Sequence, residues 1–156
     1  MGHQKSYFHR NSKDPEPLVA TIDRRVRFEE VDALGMVWHG RYPSYFEDGR
    51  IAFGDRYGLA YQSFICHNVM APIVQMHVDY KAPLRFDETI VIETTLHWNE
   101  AMRLDFSYAI RNRQNRTAAT GYTVQVLTDP AGTVLFVPPD WIIDFREKWR
   151  SGHWNR

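Results

Sequence analysis

One stretch of helical period followed by a long run of alternating segments limits this chain to few folds. Over residues 41–57 the apolar and small positions Tyr42, Tyr45, Phe46, Gly49, Ala52 and Phe53 recur three and four residues apart, on one face of a helix. Pro43 suits its first turn and Gly58 its C-cap. Further on the period changes to two. Val74, Met76, Val78 and Tyr80 interleave with Gln75, His77, Asp79 and Lys81, and Ile90, Ile92, Thr94, Leu96 and Trp98 interleave with Val91, Glu93, Thr95 and His97, as half-buried strands do. Leu104, Phe106, Tyr108 and Ile110 mark another strand, residues 118–127 a further one, and Asp129-Pro130-Ala131-Gly132 turns the chain into 134–137. A strand over 19–29, with Val26 and Phe28 on one face, precedes the helix. One early helix and then a meander of strands predicts an α+β fold, an antiparallel sheet with one buried helix. Gly49, in mid-helix, costs about 1 kcal/mol relative to Ala unless close packing requires it. A sheet wrapped tightly on the helix supplies that requirement.

At 156 residues the chain is read as one domain spanning 18–137. Residues 1–17, polar and carrying Pro15 and Pro17, precede it as a loose arm. Residues 138–156 follow as a short amphipathic helix, with Trp141, Ile142, Phe145 and Trp149 on its apolar side, and a frayed tail. Nineteen basic residues balance nineteen acidic ones, so charge gives no case for nucleic acid. No apolar run is long enough to span a bilayer, and the polar start lacks the core of a signal peptide, which leads us to expect no membrane insertion and a cytoplasmic protein. The single cysteine, Cys66, excludes an internal disulfide or a Cys-x-x-Cys site, and is expected to be buried and inert. Seven histidines show no His-x-His or His-Glu-x-x-His spacing, so no metal is expected.

The chemistry points to residues 31–50. Asp32 precedes a glycine turn and then a helix start, where unpaired backbone N–H groups and a partial positive charge suit the oxyanion formed when a carbonyl is attacked. A plain turn aspartate is the alternative reading. The order Asp32, Gly35, Met36-Val37, Trp38-His39 and then Tyr42-Pro43-Ser44-Tyr45-Phe46-Glu47 resembles the 4-hydroxybenzoyl-CoA thioesterase family of hot-dog folds. Tyr80-Lys81-Ala82-Pro83-Leu84-Arg85-Phe86-Asp87-Glu88 resembles a second signature of that family, and the likeness runs over about 19–127.

The resemblance implies a curved sheet around a long central helix and an acyl-CoA thioesterase that yields a carboxylic acid and free CoA. It needs no cofactor, coenzyme A being part of the substrate. Asp32 would attack the thioester directly or activate a water, and the His39 backbone N–H would hold the carbonyl oxygen. The His39 imidazole is a further acid–base candidate beside a structural role. Glu47 matches a family carboxylate, though a structural pair with Arg50 on one helical face is the default. Glu29 and Glu30 are both read as solvent-facing.

Gly35, Val37, Trp38 and Tyr45 are candidate substrate contacts near this segment; Phe46, Tyr61 and Phe64 share the neighbourhood, where aromatics equally make core. Lys81 and Arg85 at the Pro83 turn, and Arg111 and Arg113 with Arg116 at a later turn, are candidate phosphate contacts or ordinary solvated turns. The family's homodimers, often paired into tetramers, imply a site built from two chains. Thioesters of acyl carrier protein, a hot-dog dehydratase and a non-catalytic acyl-CoA binding module are the alternatives. The dehydratase fits least, since its His and carboxylate follow a different segment pattern.

Overall fold

The computed structural model describes residues 7–155. Strand β1 (Leu18–Arg25) is followed by a 3-10 turn (Phe28–Glu30), a second 3-10 turn (His39–Arg41), helix α1 (Tyr42–Tyr57) and short helix α2 (Tyr61–Cys66). Strands β2 (Ile73–Tyr80), β3 (Thr89–His97), β4 (Arg103–Arg111) and β5 (Thr117–Val126) come next, and α3 (Asp140–Arg150) closes the chain. The five strands form one antiparallel sheet in the order β1-β3-β4-β5-β2, so β1 and β2 are its edges. This is the expected α+β plan with α1 laid against one sheet face.

The buried stripe of α1 runs through Tyr42, Tyr45, Phe46, Gly49 and Phe53. Phe46 stacks on Tyr108 with ring centroids 4.2 Å apart, and Phe53 meets Phe106 edge-on at 5.2 Å. A Cβ on Gly49 would lie 2.1 Å from Thr94 Oγ1 and 3.1 Å from Ile92 Cγ2. The sheet therefore approaches the helix closely enough to explain the mid-helix glycine. Gly58 caps α1 at φ +81, its N–H donating to the Gly54 carbonyl.

Several expectations need correction. The chain leaves the sheet after Arg25, so Val26 is buried but Phe28 is 76% exposed. β3 alternates as expected, whereas β2 is exposed along nearly its whole length, because it is an edge strand that α1 does not cover. No strand forms over 134–137: a single bridge joins Val134 to Thr128, and Phe136 and Val137 face solvent. Pro138 and Pro139, which follow, have no N–H with which to extend a ladder. Cys66 is exposed at the end of α2.

The arm beyond Ser6 is laid on the outer sheet face, Tyr7 stacked on Tyr122 at 3.8 Å and Phe8 buried; residues 1–6 of the expected arm lie outside the described residues. α3 buries Ile142, Phe145 and Trp149, and Trp154 of the expected frayed tail packs against Tyr57 and Phe145. Among the described residues no helix is long and apolar enough to cross a membrane.

Candidate active site

Residues 31–37 form a tight hairpin. Val31 pairs with Val37, the Asp32 N–H donates to the Met36 carbonyl at 2.8 Å, and the Gly35 N–H donates to the Asp32 carbonyl at 3.0 Å. Gly35 sits at φ +74, the left-handed position that ends such a turn and favours glycine. Gly35 thereby shapes the turn that carries Asp32. Asp32 Oδ1 accepts the Leu34 N–H at 2.9 Å and the Met36 N–H at 3.4 Å. Oδ1 thus holds the carboxylate in place, and Oδ2 accepts no hydrogen bond among the described residues.

The hairpin is fastened to the second sequence signature. Val37 donates its N–H to the Leu84 carbonyl at 2.8 Å, and Met36 bridges Arg85. The Trp38 N–H is taken by the Glu30 carbonyl at 2.9 Å, after which the chain enters the 3-10 turn at His39 and runs into α1. The His39 and Gly40 amides open that helical run, where N–H groups have no intrahelical acceptor and the dipole is positive. The Tyr80 hydroxyl donates to the His39 carbonyl at 2.7 Å, tying the end of β2 to the helix start.

These contacts surround a cleft of about 390 Å³ lined by Asp32, Met36, Val37, His39, Tyr42, Tyr80, Lys81, Ala82 and Pro83. Four of the expected site residues, Asp32, Val37, His39 and Lys81, meet there. Tyr42 and Tyr80, which sequence reading did not single out for the site, form an edge-to-face pair at 4.8 Å on its wall. Burial first, then the neighbouring Tyr80 and Glu88, pushes the Tyr42 hydroxyl up to about 12, so it is a neutral donor at ordinary pH. Its place on the apolar helix stripe disguised it as core.

The other candidates lie elsewhere. Tyr45 is fully buried beneath the cleft, its hydroxyl on Glu30 at 3.1 Å. Trp38 is half-exposed with its ring folded over Gly40, where a Cβ would be 2.3 Å from the indole. Glu47 is exposed and Arg50 buried, so the expected Glu47–Arg50 pair does not form: adjacent turns of α1 point them to solvent and to the sheet. Arg85 touches the hairpin through its backbone and its side chain is exposed. Arg111 faces Glu93 at 3.4 Å, and Arg113 is exposed in the β4–β5 turn, at the end of the sheet where Tyr80 pairs with Ala119.

Glu30, expected in solvent, is 3% exposed. A wider trough, about 670 Å³, lies on the outer sheet face, but its imidazoles are engaged: His97 Nε2 lies 2.7 Å from Ser107 Oγ, and His77 3.0 Å from Asp79. No helix start opens into it, so the smaller Asp32 cleft is the better candidate for acyl transfer.

Comparison with known proteins bears on the fold and the reaction class. The family model described as the thioesterase-like superfamily matches residues 26–145. A putative acyl-CoA thioesterase of Bacillus subtilis, YneP, is 31% identical over 94 residues, 60% of this chain and 68% of that one. The acyl-CoA thioester hydrolase YbgC of Escherichia coli O157:H7 is 28% identical over 106 residues, 68% of this chain and 79% of its own. A solved DHNA-CoA thioesterase from Staphylococcus aureus superposes with a TM-score of 0.77 at 21% identity, covering 88% of this chain and 94% of its own, and shows the shared fold. With a hot-dog architecture, a carboxylate beside a helix start and a family match over that whole region, the chain belongs to the thioesterase-like superfamily and is a thioester hydrolase.

Proposed function

We propose that the protein hydrolyses acyl-CoA thioesters, with Asp32 as the attacking or water-activating carboxylate. The observation that carries this is the division at Asp32, which lines the cleft with the helix start: Oδ1 is pinned by two backbone amides, while Oδ2 accepts no hydrogen bond among the described residues. A carboxylate held in one orientation loses little freedom when it reacts. The thioester carbonyl oxygen takes the His39 N–H, supported by the Gly40 N–H, at the positive end of the helix. Charge moves onto that oxygen as Asp32, or the water it deprotonates, adds to the carbonyl carbon. Collapse of the adduct expels the CoA thiolate, which takes a proton. In the direct route, water then cleaves the acyl–Asp32 anhydride.

Lys81, exposed on the cleft rim, would meet a phosphate of the CoA moiety. Arg111 is already opposite Glu93, which makes it the weaker candidate. Glu47, in solvent in the single chain, takes no part from its own protomer.

The functional unit in this reading is a dimer made through β2. Ile73, Val74, Met76 and Tyr80 are all exposed along a strand whose outer edge has no partner among the described residues. A long apolar edge is a template for another strand, and a second copy related by a two-fold axis adds its β2 in antiparallel fashion. That pairing would bring the Ile73 end of one strand beside the Tyr80 end of the other.

Thiol release from acyl-CoA thioesters of graded length, beside the same acyl groups on acyl carrier protein, tests the substrate class. The proposal expects faster turnover of the CoA thioesters. Faster turnover on the carrier protein would replace CoA as the carrier, and saturable stabilisation by acyl-CoA without thiol release would make the protein a binding module.

A further inference from the structure

Arg50 projects from the middle of α1 into the interior and is 8% exposed. Its Nη1 donates to the Tyr108 hydroxyl at 2.9 Å, which in turn shares a hydrogen bond of 2.6 Å with Thr123, and the Tyr61 hydroxyl faces the guanidinium from α2. Its Nε has no hydrogen-bond partner, and no carboxylate among the described residues lies within ion-pair distance of it. Every group that meets this buried cation is neutral. An uncompensated buried charge is costly, and arginine does not shed its proton to escape that cost.

Arg50 and Tyr61 line a cavity of about 180 Å³ whose walls are otherwise mostly apolar, among them Phe53, Phe64, Val69 and Phe106. Gln125, 6% exposed, is another polar wall: Nε2 is held by the Ala71 carbonyl at 2.7 Å and Oε1 is without a partner. A dry cavity of roughly 150 Å³ admits a benzene ring. This one therefore has room for a ring or a short alkyl segment, with a positive charge waiting in its wall.

Ile65, Met70 and Ala71 line the side of the cavity next to the start of β2. The Asp32 cleft lies at the other end, by Tyr80 and Lys81. Antiparallel pairing of two β2 strands sets the cavity of one protomer beside the Asp32 cleft of its partner. We propose that the cavity receives the distal end of the acyl group and selects acyl groups that end in a carboxylate, which the Arg50 guanidinium in its wall would bind. This rests on the thioesterase and dimer reading above. The apolar walls take the intervening chain.

The test compares kcat/KM for glutaryl-, adipyl- and suberyl-CoA with pentanoyl-, hexanoyl- and octanoyl-CoA, in the unaltered protein and in Arg50→Met. A charge-assisted hydrogen bond predicts a preference of about tenfold or more for the dicarboxylic member of at least one pair. In Arg50→Met that preference disappears, while the melting temperature rises because an unpaired charge has left the interior. Equal or better turnover of the monocarboxylic member at all three lengths overturns the proposal, as does an unchanged preference in a folded Arg50→Met.

Failure of the thioesterase reading looks different: no thiol is released from any of the six. Thermal stabilisation by free adipate, hexanoate and 1-hexanol then decides the cavity. Stabilisation by the acids and not the alcohol, lost in Arg50→Met, supports a carboxylate site, and no such difference overturns it. Stabilisation by hexanoate together with equal turnover of adipyl- and hexanoyl-CoA would assign the site to the released acid and end the claim of substrate selection.

Discussion

Glu30 and Asp32 stand two residues apart in one loop and have opposite fates. Glu30 is 3% exposed and fully occupied: Oε1 faces Arg24 at 2.5 Å, while Oε2 accepts the Arg27 N–H at 2.8 Å and the Tyr45 hydroxyl at 3.1 Å. Asp32 is half-buried, held through one oxygen by its own turn and, among the described residues, without a hydrogen bond at the other. The first carboxylate spends its lone pairs on the structure, and in the proposed function the second keeps a pair for chemistry. The difference teaches that a catalytic carboxylate is recognised by what remains unbonded after the fold has taken its share. The same rule marks Arg50, whose Nε is left over in the interior.

The sharpest way to break the contrast is to remove Glu30. Glu30→Ala leaves a backbone amide and a buried hydroxyl without their acceptor and Arg24 with Asp48 as its remaining partner, at a cost of about 1–3 kcal/mol for each stranded group. Urea unfolding should show that loss, whereas Asp32→Asn should shift the midpoint little; equal losses would erase the distinction. Tyr45→Phe removes one of the bonds on Glu30 and should cost about 1.5–3 kcal/mol by the same measurement, the range for a hydrogen bond to a charged group.

Gly35→Ala acts on the other member of the pair. A side chain at φ +74 is strained by about 1–2 kcal/mol. Because Gly35 fixes the turn that aims Asp32, kcat should fall further than the stability loss alone explains. Stability and kcat falling together, with residual activity tracking the folded fraction, would make Gly35 merely structural.

A last effect appears only in alkaline solution. Tyr42 ionises near 12 when folded and near 10 when unfolded, so the folded state holds its proton more tightly. The stability this contributes is fully present below pH 10 and is lost as pH rises from 10 towards 12. Tyr42→Phe should flatten that part of the stability profile, and an unaltered slope would show that Tyr42 is not shielded from water.

Much of the fold was legible because period and punctuation agreed. The α1 stripe, Gly58 and the alternation of β3 each carried one reading. Gly49 even announced a close sheet, which Thr94 and Ile92 supply. The failures have a common cause in tertiary placement. β2 alternates like β3, but alternation does not say whether a strand lies at an edge, and β2 does. Glu30 looked like a surface residue because its partners Arg24 and Tyr45 come from other elements. Arg50 was paired with Glu47 by helical spacing, while the actual direction of its side chain was set by Tyr108, 58 residues away. At the site, Asp32 and the helix start were readable as a local motif. Tyr42 and Tyr80 were not, since their meeting depends on β2 ending beside α1.

The most direct test is thiol release from acyl-CoA by Asp32→Asn, measured beside the unaltered protein with circular dichroism and the unfolding midpoint of both. Asparagine retains the Oδ1 acceptor for the Leu34 and Met36 amides and removes the charge, so the turn persists. The account predicts a fall in kcat of about 10²–10⁴-fold, the range for loss of a positioned general base, at nearly unchanged stability. Full activity in a folded Asp32→Asn would contradict it and return Asp32 to the role of an ordinary turn residue.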